Sequence, residues 1–354
     1  MEIFITLSVF RSLWLSRSFV SSASAFNPLP LHQRGYTVVT MKKVVTIGGG
    51  TGSYTVLRGL KDFPLDITAV VSMFDSGGST GRLRDEFGVL PPGDIRRCLI
   101  ALSDGARAEI LRDLFNFRFE NGNSLKGHSF GNLLLVALSS IYGSDIEGIR
   151  KASELLHLKG KVLPVSLDQS TLHAILENGE EIIGETNIDI PKHDGTVRIE
   201  KVFLEPSAKI FEETAQAIKD ADLIIIGPGD PYTSIIPNLL VKGMAEALRA
   251  SKAKKIAVMN LMSKWGETHE FAASDMVREI LKYSGFEKFD CVICNTAKMD
   301  SELVSAYEKE KKFPIHCDDK LSDYAREVKT GDYFSEADIA RHDSAKIARV
   351  IAIL

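Results

Sequence analysis

Five short runs of almost unbroken apolar residues recur along the chain: "KVVTIGGG", "DITAVVSMFDSGG", "DLIIIGPGD", "KKIAVMNLMS" and "FDCVICNTA". Runs of this length, rich in Val and Ile and without polar alternation, are strands buried on both faces, as in a parallel sheet. Parallel neighbours need long crossovers, and helices supply them. Helical patterns lie between the runs, in "SYTVLRGLKDF", "DIRRCLIALSD", "SFGNLLLVALSSIYG" and "SIIPNLLVKGMAEALRAS". The order predicts an α/β fold with a Rossmann-like, doubly wound, mostly parallel sheet. One stretch breaks the rhythm, from about Gly160 to Leu204. There "ENGE" separates two alternating runs, which is a hairpin signal and predicts a small β-rich insertion.

The ends of the apolar runs carry the polar chemistry. Gly48, Asp75, Gly227, Asn260 and Asn295 all fall at C-terminal strand ends, where open α/β sheets bind their ligands. The first end continues as Gly48-Gly49-Gly50-Thr51-Gly52-Ser53. Ser53 stands where a dinucleotide fingerprint needs its third glycine, and the Gly-Lys-Ser/Thr ending of a P-loop is missing as well. The physical content remains: glycines let the backbone approach a ligand closely, and the N–H groups opening the next helix attract phosphate.

A second loop, "DSGGSTGRLRDEFGVLPPGDIRR", places Asp75, Ser76, Gly77, Gly78 and Ser79 after the second strand. Asp75 is where a nicotinamide enzyme holds a ribose, but nothing further along supports that reading. The loop leads into a helix expected to be capped by Asp94, with Arg96 and Arg97 in its first turn. Cations there oppose the helix dipole, so one of them, taken as Arg96, is expected to meet an anion. A third loop, Gly227-Pro228-Gly229-Asp230-Pro231-Tyr232-Thr233, is a further anion cradle with Tyr232 available to contact a ring. In "KGHSFGNLLL", His128 and Asn132 share a face if the helix already includes His128.

Composition sets the remaining bounds. The 354 residues are 44% hydrophobic with a net charge of -4. That is ample for a sizeable core and gives no global pull toward nucleic acid or an anionic membrane. Four cysteines fit a reducing cytoplasm better than a disulfide framework, and Cys291 and Cys294 read as small buried residues of a strand. The first 40 residues are apolar, Ser-rich and interrupted by Arg11 and Arg17. They read as a disordered leader or a misassigned start, with Met41 opening the working chain as a single domain to Leu354; a targeting peptide is the alternative. A homo-oligomer is compatible with the composition and not specified by it.

Taken together and in order, "IGGGTG", "DSGGSTGRLR…PPGDIR", "GHSFGNLLL", "GPGDPYTSIIPNLL" and "WGETHEF" resemble the CofD-like superfamily, in its YvcK-like gluconeogenesis-factor branch. The resemblance runs from about Lys43 to Lys298. It implies an active crevice at the strand ends. One branch of the family, the 2-phospho-L-lactate transferases, moves a phospholactyl group from a nucleotide-activated donor to a deazaflavin precursor with magnesium. The YvcK-like branch is bacterial, binds UDP-sugars such as UDP-N-acetylglucosamine, and is tied to wall synthesis and cell shape during gluconeogenic growth.

Several positions depart from the branch pattern. Ser76 replaces the second acid of an adjacent pair, Asp230-Pro231-Tyr232 replaces Ser-Leu-Tyr, Lys264-Trp265 replaces Gln-Pro, and Met276 replaces a His. The sequence thus predicts a nucleotide or nucleotide-sugar binder, and as its alternative a magnesium-dependent transferase. Asp75 and Asp94 are the expected catalytic acids, and Asp75 with Asp230 the expected magnesium ligands. Ligand contacts are expected from Gly48–Ser53, Ser76–Ser79, Arg96, His128, Asn132, Gly227–Asp230, Tyr232, Thr233 and Asn260.

Overall fold

The apolar runs are strands, and they lie side by side. In the computed structural model, residues 41–105, 108–335 and 339–354 are described; the expectations for residues 1–40 fall outside them. β1 (Lys42–Gly48) pairs in parallel with β2 (Leu65–Val71) on one side and with β7 (Leu223–Ile226) on the other. β3 (Lys161–Pro164) extends the sheet beyond β2, while β8 (Lys254–Val258), β9 (Phe289–Asn295) and β10 (Ala325–Gly331) extend it beyond β7. The result is a seven-stranded parallel sheet in the order β10-β9-β8-β7-β1-β2-β3. The order reverses direction between β1 and β7, and that switch point opens a crevice at the carboxyl ends of the two strands. Ile224, Ile225 and Ile226 of β7 are fully buried, as expected of a strand covered on both faces.

Helices cover the faces. Those that matter for the site are α1 (Gly50–Leu60), α2 (Gly78–Phe87), α3 (Pro92–Leu102), α4 (Ala108–Asn116) and α5 (Phe130–Tyr142). α1 follows β1 almost directly, and α2 follows β2 after the loop of residues 72–77. α5 is capped by Ser129, whose hydroxyl accepts from the Asn132 N–H, so His128 lies before the helix and not on it. Among the described residues no helix is long and apolar enough to cross a membrane.

The expected insertion is present with shifted limits. β4 (Thr171–Leu176), β5 (Glu181–Ile183) and β6 (Ile199–Glu205) form a separate antiparallel sheet in the order β5-β4-β6. The "ENGE" turn joins β4 to β5 as a hairpin. Lys161–Pro164 was expected within this β-rich unit but is the edge strand of the main sheet. Its "KVLP" is too short a run to declare its partner.

Two further expectations are corrected. The pattern over "SIIPNLLVKGMAEALRAS" is not one helix. It comprises a π-helical turn at Pro231–Ile235, a short α-turn at Ile236–Leu239 and a helix at Met244–Ala250. Pro237 and Gly243 supply the interruption. Cys294, at the end of β9, is disulfide-bonded to Cys317, against the reading of unpaired cysteines. The segment carrying Cys317 is brought back by the Ile315 N–H on the Leu261 carbonyl and the Ala273 N–H on the His316 carbonyl, long-range contacts with no sequence signature. Cys291, three residues before Cys294, stays free and buried.

Candidate functional site

The carboxyl ends of β1, β2, β7 and β8 frame a cleft of about 440 Å3, within the range of ligand pockets. The first and third loops meet there. A β-carbon on Gly52 would overlap the Pro228 carbonyl, so glycine at 52 is demanded by this backbone contact. Gly50 has φ +64°, a left-handed conformation costly for other L-residues. A β-carbon on Gly50 would meet only Arg97 Nη1 and Ser234 Oγ, both at 3.7 Å.

The helix starts present donors. The N–H of Gly50 favours the charged form of the Asp94 carboxylate. Those of Thr51 and Gly52 have no hydrogen-bond partner among the described residues. Gly78 opens α2 in the same condition, while the Gly77 N–H is taken by Asp75 Oδ1 at 2.8 Å. Two helix N-termini thus converge on one cleft, an arrangement suited to phosphate.

Carboxylates stand beside these donors. Asp75, Asp94, Glu185, Asp189 and Asp230 all line the cleft. Burial raises Asp94 to about 6, with the charge on Asp75 adding to the shift and Arg97 opposing it. Burial first, and then the charges on Asp75 and Asp189, raise Glu185 to about 8. Asp75, Asp94 and Glu185 therefore repel one another. Such hard oxygen donors fit magnesium, which would relieve that repulsion.

The expected magnesium pair is rearranged. Asp230 belongs instead with Asp189 and Glu267, whose ligand atoms lie within 4.8 Å of one another, the one such group among the described residues. Lys264 already fills its centre. Its ammonium bonds Asp189, reaches Asp230 at 2.8 Å and Glu267 at 3.1 Å. Burial alone would lower the Lys264 pKa, but the three acids hold it above its ordinary value. Lys264, one of the departures from the branch pattern, is thus a built-in countercharge that ties the insertion to the third loop. Trp265 beside it packs against Gly195 of the insertion under the Lys311 ammonium, 3.8 Å from the ring centroid. Met276 is buried in the core.

The expected ligand residues divide into two groups. Gly49, Gly50, Thr51, Gly52, Gly77, Gly78, Pro228, Gly229, Asp230, Thr233 and Asn260 line the cleft with Asp75 and Asp94. Gly48, Ser53, Ser76, Ser79, Arg96, His128, Asn132, Gly227 and Tyr232 do not. Arg96 and Arg97 lie beyond the first turn of α3, whose N-cap is Pro91. Asp94 is therefore inside the helix start and not its cap. Arg96 is buried, donating to Asn132 Oδ1 at 2.9 Å, the Phe115 carbonyl at 3.1 Å and Asn116 Oδ1 at 3.0 Å. Arg97 faces the cleft in its place.

His128 Nδ1 meets Ser79 Oγ at 3.0 Å, and Asn132 Nδ2 donates to that hydroxyl at 3.2 Å. Burial first, and then Arg82, lower the His128 pKa. Arg96, His128, Asn132 and Ser79 therefore brace α2, α3 and α5 behind the cleft. Tyr232 is 1% exposed, with its hydroxyl 3.1 Å from Glu279 Oε2, and cannot stack on a ligand. Asn260 Oδ1 accepts the Gly229 N–H at 2.8 Å, so that N–H is not free for phosphate.

Further residues at or behind the cleft were not among the expected site residues. Glu185 and Thr186 come from α7 (Glu185–Asp189) of the insertion, docked through Ser76: the Thr186 N–H donates to Ser76 Oγ at 3.0 Å. Glu267, 3% exposed, accepts from the Tyr232 N–H and the Thr233 hydroxyl and braces the third loop. Arg341 and His342 arrive from near the C-terminus. Burial depresses His342 to about 4, so its imidazole is neutral at pH 7. Only the glycine loops of the first two strands could have indicated where these residues converge.

A parallel Rossmann-like sheet with glycine-rich helix starts and an acidic cleft at its switch point defines an α/β protein of the doubly wound class. Residues 44–333 match the family model described as 2-phospho-L-lactate transferase CofD, and the chain belongs to that family. The chain is 42% identical to the gluconeogenesis factor of Halalkalibacterium halodurans over 313 residues, covering 88% of this chain and 95% of that one. It is 41% identical to the gluconeogenesis factor of Bacillus subtilis, covering 88% of this chain and 98% of that one. A crystal structure of a Bacillus halodurans protein, 41% identical, superposes with a TM-score of 0.84 over 88% of this chain and 100% of that one.

Proposed function

We propose that the cleft binds a UDP-sugar, and that the protein is a nucleotide-sugar-responsive regulatory factor. The observation that carries this is the convergence of the α1 and α2 N-termini on one cleft, with unpartnered N–H groups at Thr51, Gly52 and Gly78. They suit a diphosphate, with Arg97 and Arg341 adding positive charge. Asp189 and Asp75 are acceptors for sugar or ribose hydroxyls. The link to gluconeogenic growth, wall synthesis and cell shape rests on the relatives' name and the family resemblance, and it implies a cytoplasmic location.

The test is calorimetric titration of the full chain with UDP-N-acetylglucosamine and UDP, with and without magnesium. Saturable binding of the sugar nucleotide without turnover supports the reading. Ligand at a hundredfold excess over its dissociation constant should stabilise the fold by about 2.7 kcal/mol. No binding of any UDP-sugar sinks it.

A second reading is favoured by one observation, the gathering of three carboxylates, Asp75, Asp94 and Glu185, in the cleft. In a phospholactyl-type transferase these acids would hold magnesium, which would neutralise charge on the departing nucleotide. Magnesium-dependent release of nucleoside monophosphate from an activated donor would select this reading over the first.

A further inference from the structure

Beside the cleft lies a second and larger cavity, of about 860 Å3, that shares Thr55, Arg341 and His342 with it. Its walls are the outer side of α1, α4 and the C-terminal helix Ser344–Ala352. Five cationic side chains line it, Arg58, Lys61, Arg112, Arg341 and Arg349, against the two acids Asp62 and Asp343. This excess sits in a chain whose net charge is -4.

The cations are not consumed by the fold. The guanidinium groups of Arg58, Arg112, Arg341 and Arg349 have neither a hydrogen-bond nor an ion-pair partner among the described residues. Asp343 is already engaged, its Oδ1 accepting the N–H groups of Ala345 at 2.8 Å and Lys346 at 2.9 Å. Lys61 is directed at the Ser103 carbonyl at 2.8 Å. Burial lowers its pKa, and the charges of Arg112 and Arg58 lower it further against Asp62 and Asp104. Like charges crowded without counterions destabilise one another, and an anion that bridges them removes that cost.

We propose that this cavity is a second ligand site, specific for a multiply charged phosphate compound and distinct from the cleft. Arginine suits the role because its planar fork binds phosphate oxygens in pairs. Tyr54 and Phe63, half-buried on the wall, offer ring faces to a base. The phosphate chain is the shared chemistry, and its source is either free polyphosphate or a nucleoside polyphosphate.

The experiment is titration calorimetry of the full chain with inorganic tripolyphosphate and with a nucleoside triphosphate. Four variants are compared with the wild type: Arg58→Ala/Arg112→Ala/Arg349→Ala, the single charge reversal Arg349→Glu, the ring-face variant Tyr54→Ala, and the cleft variant Gly50→Ala. Circular dichroism checks each fold. Tripolyphosphate is expected to bind the wild type, to weaken roughly tenfold or more in the arginine variants, and to weaken with added salt. Gly50→Ala should leave the arginine-dependent part of that binding unchanged. Equal affinity for both compounds identifies free polyphosphate as the source; tighter nucleotide binding that is lost in Tyr54→Ala identifies the nucleotide. Absence of binding at millimolar tripolyphosphate, or binding lost in Gly50→Ala and kept in the arginine variants, overturns the proposal, as does a cavity that takes an acidic peptide and no phosphate.

Discussion

Arg96 and Arg97 are adjacent in the chain and part ways in the fold. Arg96 turns inward and joins Asn132, Phe115 and Asn116, within the buried group that holds α2, α3 and α5 together. Arg97 turns to the cleft, with 42% of its side chain exposed and Asp94 3.4 Å away. The same division runs through the whole motif set. Ser76 and Ser79, three residues apart, brace α7 and His128 respectively, while Gly77 and Gly78 between them line the cleft. A polar loop motif therefore marks two layers, a contact surface and the polar frame behind it. The frame shares the surface's sequence chemistry because a buried polar group must find partners as surely as a ligand must.

The largest effect should come from breaking the frame. Arg96→Ala leaves three acceptors without their charged donor and should lower the unfolding free energy by roughly 2–4 kcal/mol. Arg97→Ala loses only a long, half-exposed ion pair and should cost at most about 0.5 kcal/mol. It should nonetheless weaken nucleotide binding. Denaturant unfolding alongside titration measures both, and equal stability losses would erase the distinction.

A smaller effect is expected at the surface layer. Gly50→Ala forces a side chain into φ +64° beside Arg97 and Ser234, and should reduce ligand affinity about tenfold, or about 1.4 kcal/mol. The matched control is Gly179→Ala in the β4–β5 turn, at φ +86° with open space around it. It carries similar backbone strain, about 1–2 kcal/mol, and should leave affinity unchanged. Equal losses of affinity in the two variants would make the first loop a mere turn.

Asp75→Asn should weaken sugar-nucleotide binding by about 0.5–1.5 kcal/mol, the worth of one ordinary hydrogen bond. Its Oδ1 can still accept the Gly77 N–H. If turnover exists and falls far more than binding, the transferase reading gains.

The gentlest probe is pH. Asp94 and Glu185 bind protons more tightly in the folded chain than in the unfolded one, because their folded values are raised to about 6 and about 8. Their contribution is therefore least unfavourable below the ordinary carboxylate range, and stability falls as pH rises through the folded values. Melting temperature against pH should decline from about 4, the ordinary carboxylate range, up to about 8: Asp94 and Glu185 both contribute up to about 6, Glu185 alone from there to about 8, and Glu185→Gln should flatten that upper part. A wild-type profile that is flat over this window would mean that burial and neighbouring charge do not raise Asp94 and Glu185 as described.

Much of the fold was legible because its signals are local. The Val- and Ile-rich runs became the parallel strands, and "ENGE" became a hairpin turn. Where local signals ran out, the reading slipped. "KVLP" pairs with β2 rather than with the insertion, and a helical pattern containing Pro237 and Gly243 breaks into three pieces. At the site, the glycines of the first two loops mark the cleft, and the motifs taken in order mark the family.

By itself, then, the sequence determined the sheet, the glycine-rich helix starts and the edge at which they meet, since periodicity and backbone freedom are properties of neighbours along the chain. The tertiary structure decided which polar side chains face the cleft. Ser76 is claimed by Thr186, 110 residues away, Arg96 by Asn132, 36 away, and Asp230 by Lys264, 34 away. A side chain's direction depends on the partner that satisfies it, and the fold alone brings that partner within reach.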